Sequence, residues 1–193
     1  MQSFDSLITS VRACTLCTEE LENGVRPVLQ AQPGARILIA GQAPGSKVHA
    51  TGIPFDDPSG DRLRHWMGID RETFYDDTRV CILPMGFCYP GKGKSGDLPP
   101  VPRCAKTWRQ PLLDLMPNIQ LTLVIGQYAQ EWHLEERAKT LTETVKRWES
   151  CDQSLIPLPH PSPRNNIWLK KNAGFEKQLV PIVASRVKAA LHR

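Results

Sequence analysis

Four short runs of mostly apolar residues are the clearest pattern along the chain. They cover residues 36–40, 79–83, 121–125 and 155–158, and each is followed at once by Gly or Pro. Runs that are continuous rather than alternating indicate strands buried on both faces, and the stretches between them are long enough for crossover helices. The pattern therefore predicts an α/β fold, a three-layer α/β/α sandwich around a four-stranded, mostly parallel sheet.

Helices are predicted over residues 3–10, 60–67, 106–115 and 175–191, where apolar residues recur at helical spacing. Pro111 and Pro181 fall inside two of these helices, so we expect a kink or a later start in each. Residues 89–103 contain four prolines and three glycines, which predicts a loop that carries Lys92, Lys94 and Arg103 to solvent.

Three unusual segments follow predicted strands directly. They read GQAPGS from Gly41, PMGFCYPGKGKSG from Pro84 and PHPSPRNN from Pro159. Ligands of open parallel sheets bind where the carboxyl ends of the strands meet, so these segments predict a binding site at that edge.

The segment after the last strand holds His160 between two prolines, which fix the backbone and remove hydrogen-bond donors. Ser162, Arg164 and Asn165 follow, and together these groups suit a phosphate-rich ligand with a polar ring. A proline-stiffened turn with a structural histidine explains the same residues equally well.

Phe55 and Asp57 lie in the segment TGIPFDDPSG, just before a predicted helix. An aromatic face stacks on a planar base, and a neighbouring carboxylate polarises a water or stabilises a cation. The alternative is that Phe55 belongs to the core and that Asp57 or Ser59 caps the helix.

Composition narrows the class of protein. The chain has 193 residues, 40% apolar and 23% charged, which fits one globular domain spanning residues 1–193. We expect a cytoplasmic monomer, because no apolar run is long enough to cross a bilayer and the N-terminal sequence lacks the pattern of a secretory signal. From residue 160 onward there are seven Lys or Arg and one acid, which suggests a polyanionic partner or an ordinary basic helix.

The six cysteines are not expected to form disulfides in such a protein. Cys14 and Cys17 form a C-x₂-C pair, while Cys88 and Cys104 are separated by fifteen residues of predicted loop. Four thiolates bind either a tetrahedral zinc ion or an iron–sulfur cluster. Cys81 and Cys151 lack such spacing and are expected to be buried thiols.

Taken in order, the C-x₂-C pair, ILIAGQAPG, TGIPF with SG, the second cysteine pair and HPSP resemble the uracil-DNA glycosylase superfamily. The chain looks most like the iron–sulfur branch called family 4, with features of family 5. The resemblance implies a DNA repair enzyme that flips a deaminated base out of DNA and hydrolyses its N-glycosidic bond. Uracil is the base that the resemblance implies. The resemblance also implies a [4Fe–4S] cluster, with structural zinc as the alternative, on Cys14, Cys17, Cys88 and Cys104.

The resemblance also implies roles for individual residues. The turn formed by Gly41, Gln42, Ala43, Pro44 and Gly45 would line the pocket and hold the attacking water. His160 would stabilise the departing base, and Phe55 would stack on it. Ser162 and Asn165 belong to the second motif, where Ser162 would bind a phosphate and Arg164 would enter the gap left in the duplex.

Three positions depart from the family 4 pattern. Gln42 replaces the usual Glu, Ala43 occupies a position that is acidic in other branches, and Pro84 stands where an Asn reads the uracil edge. Asp57, shortly before Ser59-Gly60, resembles the acid of family 5 and is therefore the predicted catalytic carboxylate. Pro84 favours relaxed or altered base choice, such as hypoxanthine or xanthine.

Two other functions remain open from the sequence. Gln42 and Pro84 also favour a catalytically silent, nucleic-acid-binding relative of the same fold. An enzyme acting on a free nucleoside or nucleotide is the third candidate, and it predicts no salt-dependent binding of DNA.

Overall fold

The predicted strands form one parallel sheet in the computed structural model, which describes residues 3–192. In chain order the strands are β1 (Ile37–Ala40), β2 (Val80–Ile82), β3 (Lys92–Gly93), β4 (Gly96–Asp97), β5 (Leu121–Ile125) and β6 (Leu155–Leu158). The large sheet has the order β2-β1-β5-β6, and all three neighbouring pairs are parallel. The predicted four-stranded α/β fold is thus confirmed, and the chain reverses its direction across the sheet beside β1.

Helices flank this sheet. They are α1 (Phe4–Arg12), α2 (Ser46–Thr51), α3 (Pro58–Met67), α4 (Arg71–Tyr75), α5 (Pro102–Cys104), α6 (Gln110–Asp114), α7 (Gln127–His133), α8 (Leu141–Lys146), α9 (Asn166–Lys171) and α10 (Val180–His192). Short 3₁₀ turns cover Trp148–Ser150 and Pro163–Asn165. No helix among residues 3–192 is long and apolar enough to cross a membrane.

The sheet separates two hydrophobic cores. Ile37 and Ile39 of β1 pack with α3 and α10 on one face, whereas Leu38 and Ala40 pack with α1, α6 and α7 on the other. Successive side chains of a strand point to opposite faces, so a strand covered on both sides must be apolar throughout. This arrangement explains the continuous apolar runs and gives the three layers that the sequence predicts.

The regular α-helix begins one residue before each internal proline, later than the predicted starts at residues 106 and 175. A π-helical turn, Ala105–Arg109, joins α5 to α6 just before Pro111, and another, Phe175–Leu179, precedes Pro181 in α10. In each turn an N–H bonds to the carbonyl five residues back, as Gln110 does with Ala105. This wider turn fits a residue that lacks the N–H of a regular helix, and α6 and α10 show the later start that the prolines predicted.

Residues 89–103 form a mostly irregular loop, as predicted, with the small antiparallel hairpin β3–β4 inside it. Lys92, Lys94 and Arg103 are exposed, and Arg103 forms an ion pair with Glu20. The loop leads from the end of β2 back towards the sheet edge and thereby brings its hairpin over the carboxyl ends of the strands.

Candidate active site

A cavity of about 270 Å³ opens at the carboxyl ends of β1, β2 and β6. Ten of the predicted site residues line it: Gly41, Gln42, Ala43, Pro44, Gly45, Phe55, Asp57, His160, Ser162 and Arg164. The eleventh, Asn165, lies behind the wall, where its Nδ2 donates to the carbonyl of His160 at 2.7 Å. The structure therefore brings the predicted segments together where an α/β sheet binds ligands.

The turn after β1 is fixed to the segment after β2 by backbone hydrogen bonds. Met85 N donates to the carbonyl of Gly41 at 2.9 Å, and Gly86 N donates to that of Gln42 at 3.0 Å. The side-chain Nε2 of Gln42 donates to the carbonyl of Leu98 at 3.2 Å, which ties the turn to the end of the hairpin loop. The amide oxygen of Gln42 then serves to accept a hydrogen bond from a water in the cavity.

Phe55 adopts an unusual backbone conformation. Its φ is +55°, and it is the one non-glycine with positive φ in the described part of the chain. Such strain persists where the surroundings impose it and is common at functional sites. Here the Tyr75 hydroxyl donates to the carbonyl of Pro54 at 2.8 Å, and the Phe55 ring packs edge-on against Phe74.

Gly60 makes this loop conformation sterically accessible. A Cβ on Gly60 would lie 1.8 Å from the carbonyl oxygen of Phe55, far inside contact distance. At the Ser-Gly pair, α3 therefore approaches the backbone of the Phe55 loop too closely for any side chain at position 60.

Asp57 caps α3, as the structural alternative anticipated. Its Oδ1 accepts from Gly60 N at 2.9 Å. The residue also lines the cavity, so capping and a chemical role are compatible at this position. An Asp at a helix N-terminus is held rigidly, and here the cap fixes the carboxylate at the cavity wall.

His160 is oriented by its own loop. Its Nδ1 accepts from Ser162 N at 3.2 Å, which assigns the proton of the neutral ring to Nε2. Burial lowers the pKa of His160, and the opposing attraction of Asp57 and Asp97 does not reverse this direction. The ring is therefore neutral at pH 7 and retains one N–H donor.

Arg62, which the sequence did not single out, holds the His160 loop from α3. Its Nη1 donates to the carbonyls of Pro161 and Ser162 at 3.2 and 3.1 Å, and its Nη2 donates to Oδ1 of Asn166 at 2.8 Å. Ser162 caps the following 3₁₀ turn by accepting from Arg164 N at 3.2 Å. The loop is thus anchored from both sides.

Asp97 is a second acid in the cavity that sequence reasoning missed. It ends the hairpin β3–β4, and a Cβ on Gly45 would lie 3.8 Å from its Oδ2. Burial, with a further contribution from Asp97, raises the pKa of Tyr89. The available signal was that Asp97 is the one acid in the Pro- and Gly-rich segment 89–103.

Pro84 is buried and lines the cavity, so it offers no side-chain hydrogen bond there. Leu83, the residue before Pro84, is held by Arg109. The Nε of this fully buried side chain donates to the carbonyl of Leu83 at 3.0 Å. Nη2 of Arg109 also lies 2.7 Å from Nε2 of His133. Burial and this cation lower the pKa of His133 to about 3, which makes His133 the neutral acceptor.

The four predicted ligand cysteines line a second, narrow cavity, of about 20 Å³, beside α1 and α5. Two of their sulfurs accept N–H donors: Trp108 Nε1 lies 3.2 Å from Cys14 Sγ, and Phe87 N lies 3.3 Å from Cys104 Sγ. Burial raises the pKa of Cys88 to about 11 and that of Cys104 to about 12. Such donors are typical around cluster thiolates, and a bound metal would deprotonate these thiols.

Cys151 and Cys81 lie outside this cysteine cavity. Cys81 is fully buried, as expected, whereas Cys151 is only half-buried. Among residues 3–192, no three His, Cys, Asp or Glu side chains are spaced to hold one metal ion.

A parallel sheet with a polar cavity at its reversal point defines a class of α/β proteins that bind nucleotides and related ligands. The family model of the uracil DNA glycosylase superfamily matches residues 29–183. The chain belongs to this superfamily, whose members are typically DNA glycosylases, so membership implies DNA binding.

Proposed function

We propose that this protein is a monofunctional DNA glycosylase that hydrolyses the N-glycosidic bond of a deaminated base, with uracil as the first candidate. The observation that carries the proposal is the cavity in which Phe55, Asp57 and His160 meet around the turn after β1. These groups supply a stacking surface, an acid and a neutral N–H donor, which are the parts that base excision requires.

The base is bound in an extruded position. Phe55 offers its ring to one face of the base, since its strained backbone holds the side chain at the cavity wall. Ser162 and Arg164 lie at the rim on an exposed turn, where they contact the flanking phosphates. Stacking and phosphate contacts offset the unstacking cost, which is roughly a few kcal/mol.

Bond cleavage leaves negative charge on the base and positive charge on the sugar. The Nε2–H of neutral His160 donates to the base oxygen on which negative charge builds. Asp57 stabilises the sugar cation or accepts a proton from the attacking water, while the amide oxygen of Gln42 orients that water.

Two residues of the cavity bear on base choice. Pro84 removes the amide that would read uracil, and Asp97 places an acceptor-only carboxylate in the same cavity. Bases with ring N–H donors, such as uracil, hypoxanthine and xanthine, are compatible with this set.

We also propose that Cys14, Cys17, Cys88 and Cys104 hold a [4Fe–4S] cluster. The shared cavity, the N–H donors to sulfur and the donor set of four cysteines support it. A tetrahedral zinc ion on the same four thiolates is the alternative. The cluster would tie the N-terminal segment to the 89–103 loop and supplies structure rather than a chemical step.

Two substitutions at Asp57 test the proposal and separate its two roles. Asn retains the N-cap and removes the charge, whereas Ala removes both. On a strand containing one uracil, we expect Asp57→Asn to melt like the parent but to lose orders of magnitude in single-turnover rate. Asp57→Ala should lose both rate and stability. Parental rates in Asp57→Asn would show that Asp57 is a cap alone.

A further inference from the structure

A groove of about 340 Å³ lies outside the active-site cavity and the cysteine cavity. It runs between α8, α9, the 3₁₀ turn Trp148–Ser150 and the π-helical turn Phe175–Leu179. Its walls carry Trp148, Trp168, Phe175, Lys146 and Lys171.

The aromatic wall of this groove is held in place. Trp168 Nε1 donates to Oγ1 of Thr142 at 2.8 Å, and the Trp168 ring packs edge-on against Phe175 with centroids 5.6 Å apart. Trp148 and Trp168 are only half-buried, so part of each indole remains open to the groove. A rigid, partly exposed indole is suited to stacking on a planar ring.

The charge of the groove favours an anion. Lys146 and Lys171 are exposed on its walls, and no acid lines it within residues 3–192. Glu149 and Glu176 occur in the bordering turns but do not line the groove. Stacking indoles beside lysines form the combination that binds single-stranded nucleic acids.

The chain connects the rim of the active site to this groove through α9. Ser162 and Arg164, at the cavity rim, lead through one 3₁₀ turn into this helix, and Lys171 ends it. Six helical residues span about 9 Å, so this helix keeps the groove within a few nucleotides of the cavity rim.

We propose that this groove binds an unpaired base of single-stranded DNA on Trp168, with the adjoining phosphates on Lys146 and Lys171. A paired base has no free face to offer, so the groove selects single strands over duplex. The inference goes beyond base excision, because it requires no damaged base in the strand.

The test measures the affinity of the full chain for a labelled, undamaged twelve-nucleotide thymidine strand by fluorescence anisotropy at several salt concentrations. Trp168→Ala should raise Kd about tenfold, and Trp168→Phe should recover most of the affinity because a ring remains. The double variant Lys146→Ala, Lys171→Ala should reduce the salt slope by about 0.7 per lysine. Lys106→Ala, an exposed lysine on the opposite side of the sheet, is the matched control.

A duplex of the same length completes the experiment. Trp168→Ala should leave duplex affinity unchanged. Unchanged single-strand affinity in the double lysine variant, or equal losses on single strand and duplex, would overturn the proposal. Because the strand carries no damaged base, a failure here leaves the glycosylase proposal intact, and loss of excision leaves this one intact.

Discussion

Replacing Gly60 with Ala tests how the structure positions Phe55 and Asp57. Gly60 is in the first turn of α3, where Ala should add up to about 1 kcal/mol of stability from helix propensity alone. The structure predicts the opposite sign. The new Cβ would lie 1.8 Å from Phe55 O and 2.8 Å from its carbonyl carbon, and both atoms belong to the backbone.

Relief of this clash requires the loop and the helix to separate by well over an ångström. Overpacking of that kind costs roughly 1–3 kcal/mol. The Asp57 cap to Gly60 N would also weaken, at about 1 kcal/mol. After the propensity gain, we expect a net loss of about 1–3 kcal/mol. In a chain of this length, that lowers Tm by roughly 2–12 °C.

Urea and thermal unfolding measure this change directly. Gly34→Ala is the control, since its Cβ would lie at an ordinary 3.7 Å from the nearest atom, the carbonyl oxygen of Thr78. We expect that control to stay within about 0.5 kcal/mol of the parent. A Gly60→Ala protein as stable as the parent, or more stable, would refute the close approach of α3 to the Phe55 loop.

Three further predictions concern the supports of the site. Arg62→Ala removes the hydrogen bonds to the His160 loop, so it should slow excision by about tenfold or more while the fold is retained. Arg137 belongs to a surface ion pair, and the control Arg137→Ala should not slow excision. In the unfolded chain His133 binds a proton below its usual pKa near 6.5, whereas in the folded protein its pKa is about 3. Because the unfolded state binds more protons between these two values, stability to urea should fall as the pH drops from about 6.5 to about 3. The neutral variant His133→Gln should flatten that fall, while His65→Gln, at an exposed position, should follow the parental curve. Cys104→Ser should lower Tm, and the purified variant should lack broad visible absorbance, iron and sulfide. The control Cys151→Ser should keep the parental Tm, absorbance, iron and sulfide. A colourless parent protein that contains zinc would contradict the cluster.

The sequence predicted the sheet closely because its signals are local. The runs ending at Ala40, Ile125 and Leu158 are buried on both faces and stop at Gly or Pro, which leaves little ambiguity in their bounds. The π-helical turns before Pro111 and Pro181 were missed, since five residues of π-helix have no periodicity distinct from that of an α-helix.

The site was predicted as far as its residues follow strands directly. Gln42 and His160 were found because each is in a motif just beyond a strand end. Arg62 and Asp97 were missed because each acts across the fold: Arg62 reaches a loop about a hundred residues away, and Asp97 enters the cavity on a hairpin. No local pattern predicts the contacts of Arg62, and the position of Asp97 as the one acid of residues 89–103 does not show that the hairpin folds over the cavity.

The most direct measurement of the central claim is base release by the purified parent protein. Labelled single strands and duplexes carrying one uracil, hypoxanthine or xanthine are incubated with protein in excess, and abasic sites are revealed by alkali. We expect alkali-labile cleavage at one or more of these bases, lost by orders of magnitude in His160→Ala. A folded parent that binds these strands but leaves no alkali-labile site at any of the three bases would contradict it.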